Sequence, residues 1–471
     1  MAFPQHFVFR LPGRRAAGSE DDAPGPGRWT NRRLWRLIWP LVIEQTLALA
    51  MGVADTVMVS SVGEHAVSGV NVVDNITNLL IIAFSAMATG GAVVTSQYIG
   101  RQDRQNARLA SKQLVYVIIL ISTLTMAFTL PLRNLIIRVI YGDIGPQVLE
   151  QASLYFLITA FSYPFLGLYN GCAALFRAAG NSRVPMLIAL LVNAINIGGN
   201  MLFIFGLRIG VAGAALSTLL SRTTAALVLA GMLAANRGSP ISLAGLFKVR
   251  LVRPMIRNIL NVGIPSGLEN SMFQVGRLMT QRIFPYFGTA AMAGNAIASV
   301  VNSCSFMPGN AFGMALLTVV GQCIGAGDYA EAKRQTAKIM KAAWMTIFIL
   351  SVVIYLAMDP IISIFNVSDE ARLFARSYLR LHCISMALFW AFSFCLPNAL
   401  RAAGDARYVM IAASVSMWTV RVSCSYLLSF AAALGPVGVW AGMGIDFISR
   451  GACYMGRWLG GRWQTKRVIR D

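Results

Sequence analysis

PLVIEQTLALAMGVADTVMVSSVG (residues 40–63) and PSGLENSMFQVGRLMTQRIFPYFG (residues 265–288) stand 225 residues apart (265 minus 40). Each opens on Pro-x3-Glu, as Pro40 and Glu44, then Pro265 and Glu269. Each closes on a glycine, Gly63 and Gly288, that begins a G-x2-A-x2-G turn through Ala66 and Gly69 or through Ala291 and Gly294. Either stretch is long enough for one membrane span, which needs about 20 mostly apolar residues. A span that carries a carboxylate, and carries it twice under one offset, implies a duplicated membrane bundle.

The offset persists outward from this pair. SQYIGRQDRQNA (96–107) matches GQCIGAGDYAEA (321–332) at 225, and FRAAGNSR (176–183) matches LRAAGDAR (400–407) at 224. Spans are predicted at 36–59, 69–98, 113–132, 151–176, 184–206 and 212–235, then at 262–287, 292–322, 339–358, 374–400, 408–431 and 437–459. Each half has an even number of spans, so both halves start on the same side of the membrane. The expected fold is an all-α polytopic membrane protein with 12 transmembrane helices. They form two pseudo-twofold-related six-helix lobes, a parallel internal repeat, around a central cleft. The divisions read 1–30, a disordered cytoplasmic tail; 31–235, the N-terminal lobe; 236–258, a cytoplasmic linker; 259–460, the C-terminal lobe; 461–471, a cytoplasmic tail.

Composition agrees. The 471 residues are 56% hydrophobic and 13% charged, against about 45–50% and about 25% in soluble domains. The net charge of +21 sits mostly in the termini and in alternate loops. The opposite loops hold only Arg133, Arg138, Arg208 and Arg372, with Arg376 just inside the tenth span. This asymmetry predicts cytoplasmic termini in the plasma membrane (the bacterial inner membrane) and no nucleic-acid partner. MAFPQHFVF lacks an apolar core followed by a cleavage site, so no cleaved leader is expected. The seven cysteines form no CxxC pair, so neither a zinc site nor a disulfide framework is indicated.

Polar groups inside spans are expensive and are functional candidates. Glu44 and Asp55 lie 11 residues apart, on one helix face and about 16 Å apart along the axis. Such a face suits a wet cleft. Glu44 has a repeat partner in Glu269, so the two carboxylates are expected to oppose each other across the cleft and attract cations. Asp55 has none, because position 280 is Thr. Asn71, Asp74, Asn75 and Asn78 form a single helical stripe, a second candidate wall of the substrate cleft. Asn196 and Asn200 share a face, and Thr218 adds a hydroxyl from the next span. Amide oxygens of this kind suit a hard cation such as Na⁺, although all three residues also occur as ordinary helix packing. Arg222 and Arg450, late in their spans, are expected to snorkel to the cytoplasmic surface. Arg277 is placed to neutralise Glu269 or Asp446, and His382 reads as a packing residue.

These motifs resemble the multidrug and toxic compound extrusion (MATE) transporters over about residues 30–460. The resemblance rests on P-x14-D-T-V-M at Pro40 to Met58, the G-x2-A-x2-G turn, YIGRQD, CIGAGD, RAAGN and RAAGD. It implies a V-shaped pair of lobes that exports organic cations in exchange for H⁺ or Na⁺, with no other cofactor. Family members bind the coupling cation with residues matching Asp55, Asn196, Asn200 and Thr218; Asn200 stands where a second carboxylate is usual. Some members use a Glu and an Asp in the C-terminal lobe, where this chain has Phe273 and Trp390. Small organic cations and membrane lipids are the expected partners, and the protein is expected to be monomeric and not an enzyme. A lipid or lipid-linked oligosaccharide flippase is the alternative, kept open by Arg277, Arg282 and Arg421. A channel or a receptor is a more distant one.

Overall fold

In the computed structural model the described residues are 29–142, 144–466 and 468–469; nearly all of the proposed 1–30 tail lies outside them. Among the described residues, nine helical stretches are long and apolar enough to cross a membrane, ten when a bent pair counts as one span. The stretch 253–325 holds two rods rather than one, and Val437–Leu459, which carries Asp446, Arg450 and Arg457, completes twelve. Helix is the physical solution here, since hydrocarbon offers no partner for an unpaired backbone N–H or C=O.

The N-terminal lobe contains α1 (Asn31–Ser60), α2 (Glu64–Gly100), α3 (Arg104–Tyr141), α4 (Pro146–Ala160 and Tyr163–Ala178, bent by 51°), α5 (Arg183–Gly206) and α6 (Gly210–Ala235). The C-terminal lobe contains α7 (Arg253–Gln281), α8 (Gly288–Ser305 and Met307–Gly325), α9 (Tyr329–Leu356), α10 (Asp369–Ala402), α11 (Ala406–Ala431) and α12 (Val437–Leu459). The rods follow the order and approximate positions read from the sequence.

The repeat is physical as well as textual. Gly63 and Gly288 turn the chain into α2 and α8 with φ of 137° and 89°, a region that only glycine enters cheaply. Asp103 caps α3 by accepting from the Asn106 backbone N–H at 3.0 Å, and Asp328 caps α9 by accepting from that of Glu331 at 2.8 Å. The lobes meet about the pseudo-twofold axis through α2 and α8. A Cβ on Gly100 would lie 2.0 Å from the Gln322 carbonyl oxygen, and one on Gly325 would lie 1.9 Å from that of Gln97. The Gln97 side-chain amide donates across the interface to Ala402 O at 2.8 Å, and that of Gln322 donates to Ala178 O at 2.7 Å. Gly90 abuts the Ile259 and Gly263 backbone of α7 in the same region. Small residues permit this backbone approach between membrane helices.

Three rods depart from α-geometry, at Met201–Gly206 in α5, Met386–Cys395 in α10, and Ser416–Val422 with Leu427–Ala431 in α11. These π-helical segments re-aim the side chains beside them. They adjoin or carry Asn200, Trp390 and Arg421, which belong to the two sites below.

Candidate functional sites in the two lobes

In the N-terminal lobe, α1, α5 and α6 bring Asp55, Asn196, Asn200 and Thr218 into one cluster. The Asn200 amide nitrogen donates to Asp55 Oδ1 at 2.6 Å and to Asn196 Oδ1 at 3.5 Å. Asn196 in turn donates to Thr218 Oγ1 at 3.5 Å. Ser217 fixes this part of α5 by donating to Asn196 O at 2.6 Å. Asn196 and Asn200 are fully buried, Thr218 nearly so, and Asp55 is half-buried. Asp55 forms no ion pair among the described residues. Its hydrogen-bond partners are neutral amides, and the one cation near it, Arg222, acts at a distance without an ion pair among the described residues.

Asn200 Oδ1 is buried and has no hydrogen-bond partner, at a cost of about 1–3 kcal/mol for an unsatisfied buried acceptor. Rotating that amide by half a turn would aim Oδ1 at Asp55. A protonated Asp55 could then donate to it, or a cation could sit between the Asp55, Asn196 and Asn200 oxygens. The donor set therefore fits either H⁺ or Na⁺, with one carboxylate and neutral oxygens for the remainder.

Asp74 sits beside this cluster and accepts from Tyr155 OH at 3.3 Å. Asn71, Asn75 and Asn78 are exposed while Asp74 is half-buried, so the stripe splits between a solvent-facing edge and the lobe interior. Asn78 and Ser85, seven residues apart, share a helix face to within about 20°, and Ser85 lines the central cavity. Arg222 does not snorkel. It donates to Ser162 Oγ at 2.9 Å and lies within electrostatic reach of Asp55 and Asp74.

Glu44 and Glu269 correct the expectation of two carboxylates that oppose each other across the cleft and attract cations. Glu44 accepts from Arg177 at 2.7 Å, and both Glu269 oxygens accept from Arg401 at 2.7 Å. Arg177 and Arg401 are the matched arginines of the two RAAG motifs. Each lobe therefore neutralises its own glutamate with its own arginine. Of the two, only Glu269 lines the central cavity.

That cavity measures about 420 Å³ and lies mostly against the C-terminal lobe, with Ser85, Ala86 and Thr89 of α2 as its far wall. Phe273 and Trp390 line it, together with Arg277, Arg401, Arg421 and Arg450. Arg450 is buried and donates to Asp446 at 2.6 Å, so it does not snorkel either. Asp446 is fully buried, accepts from Ser416 at 2.6 Å, and lies 3.8 Å from Arg421. Arg277 neutralises neither Glu269 nor Asp446. His382 packs edge-on against Trp440 and lies 3.4 Å from Ser305 Oγ, as a packing residue should.

Two duplicated six-helix lobes of long apolar helices define an integral multi-pass membrane protein with ionisable groups buried beside a central cavity. The MatE family profile matches residues 40–202 and 265–427, one match per lobe, and the chain belongs to that family. A probable multidrug resistance protein NorM of Thermotoga maritima is 28% identical, with 93% of this chain and 94% of that protein covered. An uncharacterized transporter, YisQ, of Bacillus subtilis is 25% identical over 92% and 95%. Among solved structures, a MOP superfamily transporter from Pyrococcus furiosus superposes with TM-score 0.85 at 20% identity, covering 92% of this chain and 97% of that one. An outward-facing multidrug resistance MATE transporter gives 0.85 at 20%, covering 92% and 96%.

Proposed function

We propose that this protein is a secondary active antiporter, not an enzyme, that exports amphipathic organic compounds, cationic ones among them, across the bacterial inner membrane in exchange for H⁺ or Na⁺. The relatives named for multidrug resistance support the transport class. The observation that carries the coupling assignment is Asp55, held by Asn200 and lacking the arginine that Glu44, Glu269 and Asp446 each have. A carboxylate in direct contact with arginine stays ionised through a cycle, whereas one hydrogen-bonded to amides, with Arg222 held off on Ser162, can exchange a cation. Loading Asp55 changes how α1 packs on α5 and α6, and the lobes rock about the α2–α8 axis. With cytoplasmic termini, this reading puts the axis contact at the cytoplasmic end of the cleft. The protein acts as a monomer in this reading, since each lobe completes its own site.

One charge crossing 100 mV supplies about 2.3 kcal/mol, and one pH unit about 1.4 kcal/mol. One-for-one exchange with a neutral compound would sustain roughly a 500-fold gradient on these terms. The test is efflux of a cationic dye from proteoliposomes under separately imposed proton and sodium gradients. Asp55→Asn should abolish gradient-driven efflux, and full efflux by that variant would overturn the assignment. A second reading, a lipid or lipid-linked oligosaccharide flippase, is favoured by one observation: the arginines that line the cavity.

A further inference from the structure

We propose that the C-terminal-lobe cavity is a binding site for the anionic group, carboxylate or phosphate, of an amphipathic molecule with an aromatic or other flat apolar body. The proposal rests on the reading above only in taking this cavity to lie on the transport route.

Four guanidinium groups line the space, and two carboxylates, Glu269 and Asp446, oppose them. Two positive charges are left over. Glu269 spends both oxygens on Arg401, and Asp446 is committed to Arg450 and Ser416. Arg421 reaches Asp446 only at 3.8 Å, and the Arg277 guanidinium makes no hydrogen bond or ion pair among the described residues. Arg421 and Arg450 are more than nine-tenths buried, and the Nε atom of each has no acceptor. Donors unmatched in a buried space are where an incoming oxyanion gains most, and the guanidinium fork fits a carboxylate or phosphate edge-on.

The rest of the wall is aromatic. Trp390 stacks between Phe306 (6.5 Å, 15°) and Phe394 (5.2 Å, 18°). Arg421 lies over Phe273 at 5.4 Å, and Arg450 over Phe273 and Phe394 at 5.2 Å each. An arginine rim above stacked rings complements a ligand with a charged head and a flat body. The volume of about 420 Å³ falls within the range of small-molecule sites.

Repeat arithmetic sharpens the contrast. Adding 225 to Asp55 gives Thr280, and the 224 to 225 that holds from the RAAG motifs onward carries Asn196 to Val420 or Arg421, Asn200 to Cys424 or Ser425, and Thr218 to Gly442 or Met443; Arg421 and Met443 line the cavity. Where one lobe gathers oxygen atoms for a cation, the corresponding part of the other presents a guanidinium.

The test is isothermal titration of the full-length protein in a non-ionic detergent. The probes are 2-naphthoate, its neutral isostere 2-naphthamide, and 2-naphthylmethylammonium. Naphthoate should bind at least tenfold more tightly than either. Arg277→Gln, which breaks no bond in the structure, should erase the preference, and Arg277→Lys should keep part of it. Arg421→Gln should do the same if it folds. Short-chain phosphatidylglycerol, titrated against short-chain phosphatidylcholine, separates the sources. If it displaces naphthoate and binds more tightly, the natural anion is a lipid headgroup; if naphthoate wins, it is a soluble organic anion. Equal affinity for naphthoate and naphthamide, preference for the ammonium probe, or unchanged binding in Arg277→Gln would overturn the proposal. The titration needs no ion gradient, so loss of gradient-driven dye efflux in Asp55→Asn tests the coupling reading alone.

Discussion

The contact that closes one end of the cleft can be opened by a single methyl group. A Cβ on Gly325 would stand 1.9 Å from Gln97 O, and one on Gly100 would stand 2.0 Å from Gln322 O. Carbon and carbonyl oxygen tolerate about 3.3 Å, so each alanine demands roughly 1.3 Å of extra room from backbone on the other lobe. Overpacking of this kind costs about 1–3 kcal/mol. The helix itself gains up to about 1 kcal/mol when Gly becomes Ala, so a loss cannot come from α2 or α8 alone. The strain is relieved by parting the lobes, and 1–3 kcal/mol shifts a two-state equilibrium about 5- to 150-fold. Hydrogen-exchange mass spectrometry should show faster exchange in peptides spanning 96–107 and 321–332 for Gly100→Ala and Gly325→Ala. Gly231→Ala, which meets nothing within 4 Å, should leave exchange unchanged. The two active substitutions should also be non-additive, because lobes already parted by one have room for the other. Unchanged exchange in both single variants, or strictly additive effects, would refute the reasoning.

Three further outcomes are expected. Glu44→Gln or Arg177→Met, each leaving a buried charge unpaired, should lower stability by about 3–5 kcal/mol, while the double variant recovers much of the loss; thermal unfolding of the purified protein reads this. Asn200→Asp adds a second carboxylate to the α1–α5–α6 cluster and should make transport or thermal stability respond to Na⁺ more strongly than in the parent protein. Gln322→Leu strands the buried Ala178 carbonyl and should cost about 1–3 kcal/mol, together with faster exchange across the α2–α8 contact.

The span order and the duplication were legible because a membrane helix announces itself by length and hydropathy, and the paired motifs fix its copies. The Asp55 cluster was legible through helix-face arithmetic and the family motif. What escaped was rotation and partnership. Depth in a span suggested snorkelling for Arg222 and Arg450, yet depth does not say which way a side chain faces. For Arg450 the clue was present: Asp446 stands four residues earlier, one helical turn away. The Glu44–Arg177 and Glu269–Arg401 pairs join spans 1 and 4 and spans 7 and 10, a proximity no local pattern encodes. Their signal was that glutamate and arginine are each kept in both halves. Arg421 lies in a π-helical segment, whose extra residue per turn moves it off the face that a 3.6-residue period predicts.

Comparing the halves separates what the axis requires from what a single lobe can vary. Gln97 and Gln322, Gly100 and Gly325, and Arg177 and Arg401 all lie in or beside the contact between lobes. Each copy of that contact is half of one symmetric interface. Changing one partner would tilt the lobes about their common axis and affect both, so such residues are held in pairs. Asp55, Asn196 and Asn200 are bonded to one another within the N-terminal lobe, and Arg421 stands mostly among residues of the C-terminal lobe. A change there alters what that lobe binds without disturbing the axis on which both turn. One scaffold can therefore carry an oxygen-rich cation cluster in one half and an arginine-lined cavity in the other. The opposite polarities need not compete, because they are read from different sides of a shared hinge.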